Sequence, residues 1–293
     1  MLVRQKILLS ILDALNKPPS PMCLVKLAFL LGKETDLEGS CVYYDFVPYK
    51  YGPFSFALYR ELEALRRDGY VSPDEKRVTL NGSAREMTRD KVEELPECAR
   101  SAVAKTIARH GRQSQRALVT SVYAQYPWYT INSKLTDLIP DGAPQRPRTS
   151  VAVYTAGYEG KSVDHFFDEL IRAGIEVVLD VRRNPVSRKY GFAGKSLKEI
   201  GSKLGLGYLH LPELGISSKD RGLLGDYESY QRLLNRYEQD WLPQKKDGIQ
   251  CASELVSKQP SVMVCMEKDV RCCHRSRLAK IVSERTKLPI VHL

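Results

Sequence analysis

One segment of the sequence puts a carboxylate beside a cluster of cations, a combination suited to binding a phosphate. Asp180 is followed at short range by four basic residues, Arg182, Arg183, Arg188 and Lys189. Guanidinium groups bind phosphate oxygens in pairs, and a carboxylate among them can exchange a proton with a bound molecule. A surface ion-pair network is the alternative, but the apolar residues of the same segment favour a pocket.

A second segment, residues 265–275, combines Glu267 with three cysteines and His274. Cysteine and histidine are zinc ligands, but the adjacent Cys272 and Cys273, without a distant Cys-x-x-Cys pair, are atypical of zinc sites. We therefore expect no metal and no other cofactor. Cys273 beside His274 fits a catalytic thiolate near a helix N-terminus, which lowers a thiol pKa. Against this, the sequence runs straight into a helix and leaves no tight loop around the cysteine.

Three apolar, strand-like runs position these segments. The runs are residues 151–155, 176–181 and 261–266. An amphipathic helix is predicted from 163 to 173. Strands that alternate with helices indicate an α/β fold with a mostly parallel, doubly wound sheet. Ligands of such sheets bind beyond the carboxyl ends of the strands, so the loops that follow the three runs should meet there.

The chain is long enough for two domains. It has 293 residues, of which 43% are hydrophobic, enough for two ordinary cores. Residues 140–150 contain three prolines and no apolar periodicity, which is typical of an exposed linker. We predict a winged-helix-like domain at 1–82, a helical connector at 83–139, this linker, and a catalytic α/β domain at 151–293.

The N-terminal prediction rests on element order. Two short helices are followed by a strand-like stretch at 41–47, a helix at 57–67, and a hairpin formed by 70–71 and 77–80. Helix, helix, helix and β-wing is the order of a winged helix-turn-helix. The stretch 49–55 and the helix after it also resemble N-terminal modules of phage-defence and toxin-antitoxin proteins.

The third helix of a DNA-binding winged helix lies in the major groove. Arg60, Arg66 and Arg67 lie on that predicted helix, so we expect them to contact DNA. The alternative is a module that binds a protein, with the three arginines on a solvated face.

The overall charge favours a polyanionic partner. Lys and Arg outnumber Asp and Glu by 45 to 35, giving a formal charge of +10. Residues 151–293 hold 23 basic and 18 acidic residues, so each half carries +5. Nucleic acid is the first partner to consider, because basic proteins gain affinity for it by counterion release. The alternative is that the charge only keeps the protein soluble.

The expected location is a reducing compartment, the cytoplasm. Seven cysteines are an odd number, and the first residues lack the apolar core of a signal peptide. No apolar run approaches the length needed to span a bilayer, so we expect no membrane insertion.

The motifs of the C-terminal half resemble the family catalogued as domain of unknown function 488. They are Gly157-Tyr158-Glu159-Gly160, Asp180-Val181-Arg182 with Pro185 and Ser187-Arg188, Gly207-Tyr208 with His210-Leu211-Pro212-Glu213-Leu214-Gly215, and Cys265-Met266-Glu267-Lys268 with Cys273-His274-Arg275. The resemblance covers essentially all of residues 151–293. It implies an α/β domain linked with nucleic-acid processing, and some members are similar to base-excising DNA glycosylases of anti-phage defence.

The first functional hypothesis is therefore a DNA glycosylase that excises a modified base from double-stranded DNA after flipping it out of the stack. Asp180 is the first choice for the catalytic carboxylate and Glu267 the second, since each follows a strand. The predicted substrate-binding residues are Tyr158, Glu159, Arg182, Arg188, Phe192, Tyr208, His210, Glu213, Cys273, His274 and Arg275. Arg183 and Lys189 are predicted to bind the DNA backbone.

Two other hypotheses use the same residues. The protein is a non-catalytic sensor of modified DNA or of a nucleotide, or it is a nucleotide or nucleoside hydrolase that never needs the duplex. Release of an abasic sugar distinguishes the glycosylase from both.

Overall fold

The computed structural model describes residues 1–37, 42–221 and 226–293. It divides into two compact units, Met1–Gln145 and Arg146–Leu293. The division falls within the segment 140–150 predicted as a linker. No helix in the described ranges is long and apolar enough to cross a membrane.

The N-terminal unit is built from helices around one apolar core. The helices are α1 (Val3–Ala14), α2 (Pro21–Glu34), α3 (Phe56–Arg67), α4 (Arg85–Glu93), α5 (Glu97–His110) and α6 (Gln115–Gln125). α2 starts where proline is favoured, with the Ser20 hydroxyl accepting a hydrogen bond from Cys23 N. Buried side chains of α1, α2, α3, α5 and α6 form a single cluster.

A short antiparallel hairpin precedes α3. Its strands are β1 (Val47–Tyr49) and β2 (Gly52–Phe54). The strand predicted at 41–47 is not formed at residues 42–46, and Cys41 lies outside the described residues. Tyr43 donates to Ala28 O on α2 (3.0 Å) and Tyr44 to Glu61 on α3 (2.7 Å), so the aromatic side chains attach this segment to helices.

The hairpin predicted after α3 is reduced to one bridge, between Val71 and Leu80. Two backbone hydrogen bonds flank it, from Ser72 N to Thr79 O at 2.8 Å and from Asn81 N to Tyr70 O at 3.0 Å. Pro73 follows Ser72 at once and has no N–H to extend the ladder.

The C-terminal unit contains a five-stranded parallel sheet with strand order β5-β4-β6-β3-β7. Its strands are β3 (Val153–Gly157), β4 (Val177–Asp180), β5 (Gly207–His210), β6 (Ser261–Cys265) and β7 (Ile290–His292). The predicted parallel sheet is confirmed, and the three apolar runs form its inner strands. Every residue of β3, β4 and β6 is buried, as expected when both faces of a sheet are covered.

Helices cover this sheet. They are α7 (Val163–Arg172), α8 (Gly194–Lys203), α9 (Ser218–Arg221), α10 (Tyr227–Arg236), α11 (Lys246–Lys258) and α12 (His274–Thr286). A π-helical turn, Tyr237–Trp241, continues α10. Buried side chains of α10, α11 and α12 pack with Leu179 of β4 and Met263 of β6.

The register of the sheet brings the ends of its inner strands together. Gly157 at the end of β3 lies opposite Cys265 at the end of β6, and Asp180 at the end of β4 lies opposite Val264. The loops after β3, β4 and β6 therefore leave the sheet side by side, as the fold class predicts.

Candidate active site

The loops after β3 and β6 are fixed against each other. Glu159 N donates to Met266 O (2.9 Å), and the Glu159 carboxylate accepts from Lys268 N (2.9 Å). A Cβ on Gly157 would lie 2.0 Å from Glu267 O, so only glycine fits there. Glu159, predicted to bind substrate, thus holds two loops together.

Asp180 is fully buried, and both of its carboxylate oxygens are engaged. Arg182 Nε donates to Oδ1 at 2.8 Å and Arg182 Nη2 to Oδ2 at 2.5 Å. Tyr208 Oη donates to Oδ2 at 2.9 Å, and the Arg182 backbone N–H to Oδ1 at 3.2 Å. This is the paired geometry of a strong guanidinium–carboxylate contact.

The charges of this network are held in fixed states. Burial opposes the charge of Arg182, but the hydrogen bonds and charge of Asp180 raise the pKa of the guanidinium above its ordinary value. Burial raises the pKa of Tyr208, and the Asp180 carboxylate raises it further, so the phenol stays a donor. The arrangement is a compensated buried ion pair, which is costly to dismantle.

The aromatic residues predicted to wall a base pocket are part of the same core. Tyr158 and Phe192 stack with centroids 4.3 Å apart and an interplanar angle of 13°. Arg182 Nη1 donates to Tyr158 Oη and to Phe192 O, each at 2.9 Å. His210 Nε2 lies 2.8 Å from Arg182 O. Tyr158, Phe192 and His210 thus all contact Arg182 of the Asp180 ion pair.

A second buried cluster joins the end of β6 to the start of α12. Cys265 and Cys273 both donate to Glu267 Oε2, at 3.0 and 3.1 Å. His274 Nδ1 lies 3.6 Å from Cys265 Sγ and 4.0 Å from Cys273 Sγ. The helix that follows this segment, α12, starts at His274, with Cys273 as its N-cap. The two cysteines therefore meet despite their separation in sequence.

Burial controls the protonation of this cluster. It raises the pKa of the Cys273 thiol well above its ordinary value and outweighs the lowering expected near a helix N-terminus. Burial also acts to raise the pKa of Glu267, but hydrogen bonds from the Cys265 and Cys273 thiols hold it below its ordinary value. A thiol whose pKa is raised in this way is a weaker nucleophile than a catalytic cysteine.

A cleft of about 240 Å³ opens beyond the ends of β4 and β5. Its lining includes Arg183, Glu213, Asp220, Tyr237, Trp241 and Lys245. The cleft thus combines two carboxylates, two cations and an aromatic wall.

Glu213 is the carboxylate of the cleft that is available to a ligand. Within residues 1–37, 42–221 and 226–293, no hydrogen bond or ion pair engages its side chain. A Cβ on Gly248, near the start of α11, would lie 2.8 Å from Glu213 Oε1, so glycine leaves room for the carboxylate. By contrast, Asp220 accepts a hydrogen bond from Ser217 Oγ at 2.7 Å.

Tyr237 separates the cleft from the thiol cluster. Its ring makes edge contacts with Trp241 (centroids 6.4 Å apart) on the cleft wall and with His274 (5.5 Å) in the cluster. Its hydroxyl donates to Leu214 O at 2.5 Å. The cleft and the cluster therefore share one buried aromatic side chain.

The remaining cations predicted for the site differ in their exposure. Arg183, Arg188 and Lys189 are exposed, and Lys189 Nζ donates to Tyr158 O at 3.3 Å. Arg275 is buried and donates to two loop carbonyls, Glu267 O (2.6 Å) and Lys268 O (3.2 Å). It stabilises the loop after β6.

The arginines predicted to read DNA lie on α3 of the N-terminal unit. Arg60 and Arg67 are exposed, and Arg67 pairs with Asp68 at 3.3 Å. Arg66 is half-buried, pairs with Glu63, and donates to Asp74 O at 3.2 Å.

Sequence reasoning missed Asp220, Tyr237, Trp241 and Lys245 as cleft residues. A signal for two of them was present, since Tyr237 and Trp241 stand four residues apart, at the spacing of neighbours on one helical face. The position of Asp220 depends on how the chain folds after β5, which no periodicity reveals.

Searches of curated proteins and of solved structures returned no match. The family comparison did return one. The matched region begins one residue before α7, contains β4, β5 and β6 with the loops that follow them, and ends within α12. It therefore includes the Asp180 network, the thiol cluster and Glu213. Residues 162–282 of this chain match the family described as Domain of unknown function DUF488.

Proposed function

We propose that the C-terminal unit hydrolyses the N-glycosidic bond of a modified base in double-stranded DNA, with the base flipped into the cleft beside Glu213. The observation that carries the proposal is a carboxylate that no described residue engages, in a cleft beyond the strand ends of an α/β sheet. Ligands of such folds bind at that edge. Any enzyme that attacks a base within a duplex must extrude it first.

The size and lining of the cleft support a base as its occupant. Its volume of about 240 Å³ is below the range of roughly 300–1,000 Å³ that is usual for drug-sized ligands. Trp241 offers an aromatic surface for stacking, and Arg183 and Lys245 offer positive charge for flanking phosphates.

Glu213 then has the role that the sequence suggested for Asp180. The C1′–N bond breaks with its electron pair leaving on the base, and water adds to C1′. The carboxylate stabilises the positive charge on the sugar and accepts the proton of the attacking water, while the departing base is protonated from solvent. No step requires a metal or a redox cofactor.

For the N-terminal unit we propose a winged-helix-like DNA-binding module. The order α1, α2, α3 and a one-bridge wing supports this, as do exposed Arg60 and Arg67 on α3.

A second candidate is a non-catalytic sensor of modified DNA. It is favoured by one observation, that Asp180 and Glu267, the two carboxylates that follow the inner strands β4 and β6, are both engaged by internal donors. If Glu213 only binds a base edge, the cleft recognises DNA without cleaving it.

The experiment is incubation of the full chain with modified and unmodified duplex DNA, followed by labelling of abasic sites. We expect abasic sites with a modified duplex, and at least about 100-fold slower formation with Glu213→Gln, because the amide removes the charge that the developing cation needs. The melting temperature of the variant should stay close to that of the unchanged protein, since no hydrogen bond or ion pair joins Glu213 to another residue in the described part of the chain.

Glu284→Gln is the matched control, since Glu284 is an exposed glutamate on α12 that does not line the cleft. It should retain full activity. Binding of modified DNA without abasic sites would establish the sensor instead, and base release from free nucleosides but not from duplex would establish a nucleoside hydrolase. Equal rates for Glu213→Gln and the unchanged protein would remove Glu213 from the chemistry.

A further inference from the structure

We propose that Cys265, Cys273 and His274, with Glu267 as fourth ligand, bind one zinc ion that joins the end of β6 to the start of α12. Sequence spacing argued against a metal because it showed no Cys-x-x-Cys pairs. The fold removes that objection, since the ligand atoms of Cys265, Cys273 and His274 lie within 4.8 Å of one another.

The distances suit a tetrahedral site. Zinc bonds of about 2.3 Å to sulfur and 2.0–2.2 Å to nitrogen or oxygen place neighbouring ligand atoms about 3.3–3.8 Å apart. Here His274 Nδ1 lies 3.6 and 4.0 Å from the two sulfurs, and Glu267 Oε2 lies 3.0 and 3.1 Å from them. Shifts of about half an ångström would bring these pairs to zinc geometry. Glu267 does not lie within 4.8 Å of all three other ligand atoms, so its side chain would have to turn toward His274 to complete the site.

The histidine is already oriented as a ligand. Its Nε2 lies 3.0 Å from Val181 O, the residue after β4, which fixes the N–H on that nitrogen. The lone pair of Nδ1 then faces the sulfurs of Cys265 and Cys273. A carbonyl on the far ring nitrogen is the usual outer partner of a zinc-binding histidine.

Burial and charge fit a closed structural site. Cys265, Cys273 and His274 are 0%, 1% and 4% exposed. Zinc binding would release the two thiol protons to solvent, so two thiolates, one carboxylate and Zn²⁺ leave a net charge of −1. The buried guanidinium of Arg275, which donates to Glu267 O, offers a positive charge next to the site.

The proposed ion does not take part in the chemistry of the cleft. Four protein ligands leave no open position, as in structural zinc sites. Tyr237 separates His274 from the cleft wall, so the metal would stabilise the floor of the cleft. This inference therefore does not depend on the proposed reaction.

The test is elemental analysis of the full chain purified under reducing conditions, together with a Co²⁺ titration of chelator-treated protein. We expect about one zinc per chain, and with Co²⁺ the intense near-ultraviolet charge-transfer band and visible bands of a tetrahedral thiolate site. Cys265→Ser, Cys273→Ser and His274→Ala should lose stoichiometric zinc. Glu267→Gln should bind it roughly tenfold or more weakly in a competition with a chromophoric chelator.

Cys272→Ser is the matched control, because Cys272 adjoins Cys273 but does not belong to the cluster. It should retain zinc and the cobalt spectrum. If a variant fails to fold, the Co²⁺ spectrum of the unchanged protein still shows whether the site binds a metal. Absence of zinc together with a featureless Co²⁺ titration would overturn the proposal. So would a Cys265–Cys273 disulfide in the freshly purified protein, or equal loss of zinc in Cys272→Ser and Cys273→Ser.

Discussion

Asp180 and Glu213 occupy neighbouring parts of the same sheet edge, yet their surroundings are opposite. Asp180 ends β4, is fully buried, and receives donors on both oxygens. Glu213 follows β5, is half-buried, and lines a cleft. A carboxylate whose oxygens already accept hydrogen bonds from a buried cation is poorly placed to bind a substrate. A carboxylate without an internal partner retains its capacity for a ligand.

The two arginines after β4 repeat this contrast one residue apart. Arg182 is 5% exposed and holds Asp180, Tyr158 and Phe192 together. Arg183 is exposed and lines the cleft. The role of each arginine is therefore set by the direction in which its side chain leaves the strand end. Its position in the motif does not set that role.

Among these variants, Asp180→Asn should lower the free energy of unfolding the most. The amide leaves the buried guanidinium of Arg182 without a compensating charge, and breaking a buried ion pair in this way costs about 3–5 kcal/mol. Denaturant unfolding should show a fall of that size in the free energy of unfolding. Base release should decline only as far as the folded population does.

A double variant, Asp180→Asn with Arg182→Met, makes this prediction sharper. Removing both charges should recover part of the stability lost by Asp180→Asn alone, because no uncompensated ion remains. If Asp180→Asn instead keeps its full stability and loses base release, the catalytic carboxylate is Asp180 and the contrast with Glu213 fails.

The sheet could be predicted because its inner strands are continuous apolar runs. The predicted runs 151–155, 176–181 and 261–266 lie within one or two residues of β3, β4 and β6. The strand predicted at 41–47 failed because its alternation came from aromatic side chains that pack on helices, as Tyr43 and Tyr44 do. The alternation of side chains along the sequence does not show which element an aromatic side chain packs against.

The candidate site was harder to predict for a geometric reason. The sequence placed Asp180 at a strand end but could not show that the side chain of Arg182 folds back onto it. Nor could it show that Cys265 meets Cys273, because that contact depends on α12 starting at His274. Among residues 1–37, 42–221 and 226–293 none engages the Glu213 side chain, and this property of the surrounding fold leaves no pattern in the sequence.

Arg183→Ala should have a smaller effect, and on DNA affinity alone. If Arg183 binds a DNA phosphate, its loss should weaken DNA binding by up to about tenfold and lower the slope of log affinity against log salt by about 1. Stability should not change, since the one hydrogen bond of the Arg183 side chain to the described residues is a long contact of 3.5 Å with Pro212 O. Binding isotherms at several salt concentrations measure both quantities. An unchanged slope would show that Arg183 contacts no phosphate.

The smallest effect on DNA binding and base release should come from Tyr208→Phe, which tests whether the Asp180 network also touches substrate. Tyr208 Oη donates one hydrogen bond, at 2.9 Å, to Asp180 Oδ2, which keeps its 2.5 Å contact with Arg182. Losing one such bond to a charged acceptor should cost about 1.5–3 kcal/mol of unfolding free energy, below the loss in Asp180→Asn. Tyr208 is half-buried and was predicted from sequence to bind substrate, so the two roles need different measurements. A structural role leaves kcat/KM for base release unchanged once the folded fraction is accounted for. A loss of kcat/KM of about tenfold or more at unchanged stability would place Tyr208 against the substrate, and it would extend the reactive surface from the Glu213 cleft to the Asp180 network.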